Sequence, residues 1–580
     1  MMRASLAWFI VWLVAGAFCL TAQIPQEDSR NVNVPSTNTH FVMPVYRSIA
    51  EWEAHKQKLR AQILFAAGLT PMPEKTALHP VIFGRIDHGD YSIEKVYIET
   101  LPGYYLCGNL YRPRGRSGKL PGVLAPHGHW DYGRLENTPI NSVPLRAINL
   151  AKQGFVVFSY DMVGYNDTVQ TPHDFGGPRE QLWGFGPLGL QLWNSIRALD
   201  FLESLPDVDR QQLAVTGESG GGTQTFLLAA VDERVKYDAP VNMISAIMQG
   251  GGQCENASGL RFDTFNVEIG AMMAPRPMLM IAATGDWTKN TPREEYPAIR
   301  SIYELYDKTG NLDMVQIDAP HNYNQASREA MYNFFGKRIL AEPKEVKEAA
   351  GIHLEKPQDM LVWHRRPLPN NALTYQQLLE QWIAAAKKQT VDASDPAVLR
   401  DRLRLALGTE WPGRVLSERT GERIALSRQG KGDRVSGIVA GSGVPSVVVV
   451  DPGGAEAARK SAGSSSLVLT VFQTGDAIAP RDRSVPYFLT FNRSDDANRV
   501  QDILTALAYL KQEGATDLRI VGLGKAAIWA KFAAAVAPVP VAVEGKLDEF
   551  TGQDQEFIDQ FFVPGIQRAG GLEAVRRILP

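Results

Sequence analysis

The chain has 580 residues, more than one hydrophobic core usually serves, so two domains are expected. Its formal net charge is −3 and 21% of its residues are charged, which leaves no basic surface to neutralise phosphates. Nucleic-acid binding is therefore excluded, and a small molecule or a neutral polymer is the expected substrate class.

The N-terminus predicts export. Arg3 precedes an apolar run from Ala4 to Leu20, and the small residue Ala22 stands just before Gln23. This pattern is typical of a secretory signal peptide, here residues 1–22, so we expect a secreted or periplasmic protein without stable membrane association after cleavage. An uncleaved anchor is the alternative, because the run approaches the roughly 18 residues that a span requires.

The cysteine content predicts no disulfide framework and no metal site. Cys19 belongs to the signal, and we expect Cys107 and Cys254 to be buried free thiols, with a bond between them as the alternative. No Cys/His group has zinc-ligand spacing in the sequence, so neither a metal nor a cofactor is predicted.

The remaining chain divides into four segments. Residues 23–45 form an N-terminal arm or linker, 46–345 a first α/β domain, 346–370 a second linker, and 371–580 a smaller α/β domain. An amphipathic helix is predicted over Ser48–Gly68. Short apolar strands alternate with helices in both domains, which predicts mostly parallel sheets covered on both faces. The predicted strands are Ile93–Glu99, Tyr104–Tyr111, Gly122–Pro126, Phe155–Tyr160, Leu213–Thr216, Pro240–Ile244, Met278–Ala282, Val315–Ile317, Ser446–Val450, Leu467–Val471, Leu518–Val521 and Val541–Val543.

The second domain reads as a degenerate repeat of the first. A helix, a short loop, a strand and a glycine-rich turn align in both, and Gly524 then stands where Ser219 stands. No histidine follows His364. A unit without nucleophile and base cannot perform serine catalysis, so this domain is predicted to be inactive. A coincidence of common helix–strand patterns is the alternative.

A nucleophile is predicted at Ser219. Gly217-Glu218-Ser219-Gly220-Gly221 follows a strand and precedes an apolar helical stretch. In a nucleophile elbow, the serine occupies a strained strand-to-helix turn, and small neighbours let the backbone turn that tightly.

The base and its acidic partner are predicted downstream. In hydrolases whose nucleophile lies in such an elbow, the acid and then the histidine follow the serine along the chain, each just beyond a strand. Asp286 follows Met278–Ala282, and His321 follows the next strand. Asp318 is the competing acid, but it lies very near His321 in sequence. Ser219, Asp286 and His321 therefore form the predicted catalytic triad.

Two backbone N–H groups are predicted to bind the oxyanion. One belongs to Gly220, the residue after the nucleophile, and the other to His129 in Pro126-His127-Gly128-His129-Trp130. His127 is expected to support this loop. As metal ligands, two histidines at i, i+2 make a poor pair without a third partner.

Several residues near these motifs are candidate substrate contacts, with packing as the alternative for the aromatic ones. They are Trp130, Tyr165, Trp183, Glu255 and Trp287.

An ordered set of motifs resembles bacterial acetylxylan-esterase-like α/β-hydrolases over roughly residues 45–345. The motifs are His-Gly-His-Trp (127–130), Asp-Met-Val-Gly-Tyr-Asn (161–166), Gly-Glu-Ser-Gly-Gly-Gly-Thr-Gln-Thr (217–225), Gly-Asp-Trp-Thr (285–288) and His-Asn-Tyr-Asn (321–324). The resemblance implies an esterase that removes acetyl groups from plant polysaccharide. The sequence has neither the Arg-Gly-Gln element of cephalosporin-C-deacetylase-like esterases nor the Cys-Ser-Arg elbow of glucuronoyl esterases.

The sequence thus predicts a secreted serine carboxylesterase that forms an acyl-enzyme on Ser219 and acts on a small ester or an acetylated polysaccharide such as xylan. The alternatives are a serine peptidase of the same fold and a non-catalytic carbohydrate-binding or scaffold protein.

Overall fold

In the computed structural model, which describes residues 24–547 and 549–579, two large mixed sheets are each packed against helices. The predicted signal peptide, residues 1–22, lies outside the described residues. Within those two ranges, no helix combines the length and apolarity that crossing a membrane requires.

The strands are β1 (Val81–Asp87), β2 (Tyr91–Leu101), β3 (Tyr104–Pro113), β4 (Leu120–Leu124), β5 (Asn137–Thr138), β6 (Asn141–Ser142), β7 (Val156–Tyr160), β8 (Val208–Glu218), β9 (Val235–Val241), β10 (Met278–Gly285), β11 (Leu312–Pro320), β12 (Val415–Thr420), β13 (Arg423–Arg428), β14 (Val435–Ala440), β15 (Val447–Val450), β16 (Ser466–Thr470), β17 (Arg519–Gly522) and β18 (Ala542–Glu544).

The helices are α1 (Ser29–Val32), α2 (Ile49–Ala66), α3 (Val143–Gln153), α4 (Pro178–Leu182), α5 (Pro187–Ser204), α6 (Gly220–Val231), α7 (Asn266–Ala271), α8 (Glu295–Leu305), α9 (Gln325–Ile339), α10 (Pro357–Met360), α11 (Tyr375–Val391), α12 (Pro396–Leu407), α13 (Ala455–Ala458), α14 (Phe488–Phe491), α15 (Asp495–Gln512), α16 (Ala526–Val536), α17 (Asp554–Gln560) and α18 (Gly571–Ile578).

The first sheet has nine strands in the order β1-β2-β3-β7-β4-β8-β9-β10-β11. Pairing is antiparallel from β1 to β7 and parallel from β7 to β11. In β4, Val123 packs into a core with α3 and α9, whereas Leu124 packs on the opposite face with α5 and α6. Burial on both faces explains why these strands are apolar throughout. The predicted fold class, a mostly parallel sheet with helices on both faces, is confirmed.

Most strand predictions overlap the observed strands closely. The exceptions are β9, which was predicted over Pro240–Ile244 and runs over Val235–Val241, and six strands that we did not predict, namely β1, β5, β6, β12, β13 and β14. Lys236 and Asp238 interrupt the apolar run of β9, so its first half does not read as a buried strand. Asp238 is nevertheless fully buried.

The second sheet has seven strands in the order β12-β13-β14-β16-β15-β17-β18. This is the order of the first seven places of the first sheet, β1-β2-β3-β7-β4-β8-β9, with the same antiparallel start and parallel remainder. Gly524 follows β17 with a φ of 51°, and Ser219 follows β8 with a φ of 56°. The shared order supports the repeat that the sequence predicts.

The predicted arm, from residue 24 onward, contacts both domains. In α1, the Arg30 guanidinium binds Asp502 of α15 at 2.6 Å and stacks over Phe472 at 4.5 Å. Farther along, the Thr37 carbonyl accepts the Gln249 N–H at 2.9 Å in the first domain. These contacts join the arm to the two domains it precedes.

Cys107 and Cys254 are both buried and neither forms a disulfide, which confirms the expectation of free thiols. Cys107 lies on β3, and Cys254 lies in a short turn at Gln253–Glu255.

Asp238 makes protein stability depend on pH. Neither carboxylate oxygen has a hydrogen-bond partner among the described residues, and burial raises its pKa from 3.8 to about 8, against the opposing charge of Arg276. Above pH 4 the unfolded chain has released this proton while the folded chain retains it. The free energy of unfolding therefore falls as the pH rises from about 4 to about 8.

We expect Asp238→Asn to raise Tm relative to the wild type, and to raise it more at pH 8 than at pH 5. Scanning calorimetry at both values tests this, with the exposed Asp392→Asn as the control. An equal shift at the two pH values would contradict a buried titrating carboxyl.

Candidate active site

Ser219 lies in a strained turn between β8 and α6. Its φ of 56° and ψ of −123° are rare for a residue with a side chain, and its N–H donates to the Val241 carbonyl at 3.1 Å. A Cβ on Gly217 or on Gly221 would come within 2.6 or 2.7 Å of the Pro126 carbonyl oxygen. Both flanking positions therefore require glycine for the turn to close.

Asp286 is the acidic partner of His321. Nδ1 of His321 donates to Oδ2 of Asp286 at 2.8 Å. The other carboxylate oxygen accepts the backbone N–H of Thr288 at 2.7 Å and its hydroxyl at 2.5 Å. The competing Asp318 is exposed and accepts instead from the Thr284 hydroxyl at 2.7 Å. The geometry thus favours Asp286 over Asp318.

The His321 ring lies between two indoles. Trp287 lies 4.5 Å from it between ring centroids, and Trp130 stacks on it at 6.3 Å. Because Nδ1 gives its proton to a carboxylate, Nε2 carries the lone pair. Nε2 is buried and has no hydrogen-bond partner within the described residues. It is the one ring atom left to accept a proton.

Asn242 links the three loops that carry the predicted triad, although the sequence did not single it out. It follows Val241, whose carbonyl binds Ser219, and it has a φ of 55°. Its side-chain amide donates to the Asn322 carbonyl at 2.9 Å, and its own carbonyl accepts the Trp287 indole N–H at 2.9 Å. Residues adjoining His321 and Asp286 are therefore held on one asparagine.

Glu218, directly before the nucleophile, is fully buried and accepts from four groups. The donors are the Gly128 N–H at 3.1 Å, the Trp130 indole at 2.7 Å, the Asn141 amide at 3.0 Å and the Arg146 guanidinium. The last is an ion pair between two fully buried side chains. Glu218 is inside the recognised motif, but its donors lie more than 70 residues away, so the motif alone did not reveal this role.

The two predicted oxyanion residues lie side by side. A Cβ on Gly220 would fall 2.5 Å from Cε1 of His129, and one on Gly128 would fall 3.0 Å from the Cβ of Ser219. Gly220 opens α6, where first-turn N–H groups have no partner inside the helix. The loop at 128–129 thus lies against the elbow, next to these free donors.

His127 supports the loop, as expected. Burial lowers its pKa to about 3, so it is neutral, and its Nε2 accepts the Met162 N–H at 3.0 Å. Its Nδ1 lies 2.7 Å from the Gly128 carbonyl. Both ring nitrogens are therefore used to fix backbone.

Two predicted substrate contacts need correction. Trp183 is only 3% exposed, its indole donates to Asp554 at 3.0 Å and its carbonyl accepts from Trp382, so it packs between the domains. Glu255 is 3% exposed, and its carboxylate accepts from Thr223, Gly251 and Gly252. Burial and full hydrogen bonding assign both side chains to structural support.

The other three candidates lie by the site. Trp130 and Trp287 flank His321, and both are partly exposed. Tyr165 contacts the rings of His127 and His173 edge-on, and burial raises its pKa to about 12. These three stay predictions as substrate contacts.

Comparisons with known proteins agree with the fold and with the predicted enzyme class. No protein-family model matches the chain. YtaP, a hydrolase-like protein of Bacillus subtilis, is 25% identical over 234 residues, 38% of this chain and 76% of that protein. The acetyl esterase Axe7A of Xylanibacter ruminicola is 28% identical over 180 residues, 28% of this chain and 37% of that protein.

Among solved structures, Methylesterase BT1017 is 27% identical, with a TM-score of 0.50 over 60% of this chain and 78% of that one. These relatives confirm the predicted resemblance to acetylxylan-esterase-like α/β-hydrolases and the predicted enzyme class, carboxylic ester hydrolase.

Proposed function

We propose that the protein is an exported serine esterase in which Ser219, His321 and Asp286 form the catalytic triad. One observation carries the proposal. The His321 ring is hydrogen-bonded to Asp286 through Nδ1, and its buried Nε2 has no hydrogen-bond partner among the described residues. Asn242 connects the strained Ser219 turn to the loop that carries His321.

In the proposed mechanism, Nε2 of His321 takes the hydroxyl proton of Ser219 as its oxygen attacks the ester carbonyl. Asp286 holds the ring and stabilises its positive charge. The N–H groups of Gly220 and His129 bind the oxyanion, which raises the rate because they are already oriented when the charge develops. His321 then protonates the departing alcohol, and water hydrolyses the acyl-enzyme by the same steps.

An acetyl ester of a plant polysaccharide is the proposed substrate. The motifs and the likeness to the acetyl esterase Axe7A support this choice. The likeness to a methylesterase supports a second candidate, a methyl ester of a uronic acid. The two differ at the nucleophile, because Ser219 would carry an acetyl group in the first case and the sugar acid in the second.

Space for a large substrate lies between the domains. A cavity of about 650 Å³ is lined by Gln253 and Asn256 of the first domain and by Tyr487 and Arg499 of the second. Gln253 precedes Cys254, which contacts His129, and Asn256 directly follows the turn. The cavity supports a polymeric alcohol or acid as the substrate, and the second domain is proposed to bind part of it.

The second domain is proposed to be a hydrolase-like repeat without catalysis. Its sheet repeats the strand order of the first through β9, and Gly524 stands at the nucleophile position. A single triad then accounts for all activity.

Ser219→Ala should lower kcat/KM at least about 10³-fold, since removing the nucleophile leaves only binding and oxyanion stabilisation. Tm should stay near that of the wild type, because the turn is held through the backbone of Ser219, whose N–H donates to Val241 and whose carbonyl accepts from Thr223. Purified residues 23–580 are assayed for acetate from acetylated xylan and methanol from a methyl-esterified polyuronate, with Ser301→Ala as the control serine.

Acetate release alone supports the first substrate, and methanol release alone supports the second. Undiminished turnover by Ser219→Ala would contradict the triad and the claim of a single active domain. Release of neither product, with hydrolysis of an amide instead, would favour the peptidase alternative.

Glu218→Met and Arg146→Met should each destabilise the fold by about 3–5 kcal/mol, because each leaves a buried charge unpaired. The double variant should recover part of that stability, because no buried charge is left unpaired, although the Gly128, Trp130 and Asn141 donors still lose their acceptor. Its kcat/KM should still be roughly 10²-fold low, since Gly128 and Trp130 lose the acceptor that positions their loop. Denaturation and kinetics are measured on all three; wild-type kcat/KM in the double variant would rule out a positioning role.

Export is proposed to remove residues 1–22. Expression with the native N-terminus in a bacterial host should yield an extracytoplasmic protein whose first residue is Gln23, as read by intact mass and N-terminal sequencing. Ala22→Leu should slow the cleavage, because a small residue is needed before the cut. A membrane-bound chain that keeps residues 1–22 would support the anchor instead.

A further inference from the structure

Three potential metal ligands meet beside the proposed active site, although they are far apart in the sequence. Nε2 of His129 lies 3.1 Å from Nε2 of His173 and 2.9 Å from Sγ of Cys254. All three ligand atoms lie within 4.8 Å of one another. His129 comes from the loop after β4, His173 from the segment between β7 and α4, and Cys254 from the turn at Gln253–Glu255.

The hydrogen bonding leaves lone pairs directed into this group. Nδ1 of His173 lies 2.7 Å from the Val163 carbonyl, which can only accept, so Nδ1 carries the proton and Nε2 carries a lone pair. A single proton on Nε2 of His129 cannot bond fully to both His173 and Cys254. The arrangement is that of a metal-binding histidine whose second nitrogen is fixed by a backbone carbonyl.

The distances suit a tetrahedral ion after a small adjustment. Zinc bonds of about 2.0–2.1 Å to nitrogen and about 2.3 Å to sulfur place ligand atoms roughly 3.3–3.6 Å apart. The observed 2.9 and 3.1 Å separations need to open by less than about 1 Å. Imidazole and thiolate ligands favour zinc over magnesium or calcium, which prefer oxygen.

The backbone around Cys254 is held by several hydrogen bonds. Glu255, next to Cys254, accepts from Gly251 and Gly252 and also from Thr223 of α6. In the second domain, the Tyr487 hydroxyl donates to the Gly251 carbonyl at 2.5 Å. Cys254 is fully buried, whereas His129 is exposed, so an ion can enter from the solvent side of His129.

We propose that His129, His173 and Cys254 form a zinc site, with Nε2, Nε2 and Sγ as ligands and a water molecule in the fourth position. On binding, the Cys254 thiol becomes a thiolate and its proton passes to solvent. The site adjoins Gly220, since a Cβ there would fall 2.5 Å from Cε1 of His129. Zinc would thus hold the side chain of the residue whose backbone N–H is a proposed oxyanion donor.

The direct test is metal binding by the full chain from residue 23, stripped with a chelator. Titration with ZnCl₂, followed by calorimetry and elemental analysis, should give one ion per chain. CoCl₂ should give visible d–d bands of a tetrahedral site together with a near-ultraviolet thiolate-to-cobalt band. Less than half an ion per chain at saturating zinc, or a cobalt spectrum without the thiolate band, would overturn the proposal.

Variants assign the ligands. Cys254→Ser and His173→Gln should each weaken zinc binding at least about tenfold, and Cys254→Ser should abolish the thiolate band. Cys107→Ser is the matched control, because Cys107 is also buried and free but lies on β3 outside the group. Zinc should raise Tm in the wild type and in Cys107→Ser but not in Cys254→Ser, since an ion that binds only the folded chain stabilises it.

A measurement on the wild type covers the case in which a variant fails to fold. Zinc should slow alkylation of Cys254, followed by mass spectrometry of its peptide, while leaving the rate at Cys107 unchanged. Equal rates with and without zinc would count against the site. Ser219→Ala should still bind one zinc ion, so the site and the proposed esterase activity can fail independently.

Discussion

A buried carboxylate at Glu218 is the constraint on which the site's geometry depends. A carboxylate removed from water needs hydrogen-bond donors in place of water. Glu218 accepts from donors in the loop after β4, in β6 and in α3. Its partner Arg146 also stacks over Tyr323 at 4.8 Å, two residues beyond His321. One buried carboxylate therefore fixes three segments relative to one another, namely the turn at Ser219, the loop at 126–130 and the loop that carries His321.

The parts of the site that the sequence predicted are the local ones. The elbow motif predicts its own strained turn. Asp286 and His321 each follow an apolar strand, and parallel strands place their carboxyl ends at one edge of the sheet. What could not be predicted depends on pairs distant in the chain. The role of Glu218 depends on Asn141 and Arg146, which lie more than 70 residues away. Metal-ligand spacing motifs describe ligands that are close in sequence, so they do not reveal that His173 and Cys254 lie next to His129.

Strand prediction failed where polarity misled it. β9 carries Lys236 and Asp238 in its first half, and only its end looks like a buried strand. Trp183 misled in the opposite sense. It was a candidate substrate contact with packing as the alternative, and it lies in an interface between domains, where its indole donates to Asp554 and its carbonyl accepts from Trp382. Composition shows that a large side chain needs burial; it does not say whether substrate or protein covers it.

The repeated strand order limits what the second domain can become. In the described chain its sheet stops at β18, the counterpart of β9, so nothing there corresponds to β10 and β11, whose ends carry Asp286 and His321. A serine introduced at Gly524 would supply only one of the three groups of a triad. The other two groups would have no strand ends to carry them, so point substitutions alone cannot build a triad in this domain. A domain that lacks only the catalytic side chains can gain them by substitution, whereas a domain that lacks the strands must acquire new chain first.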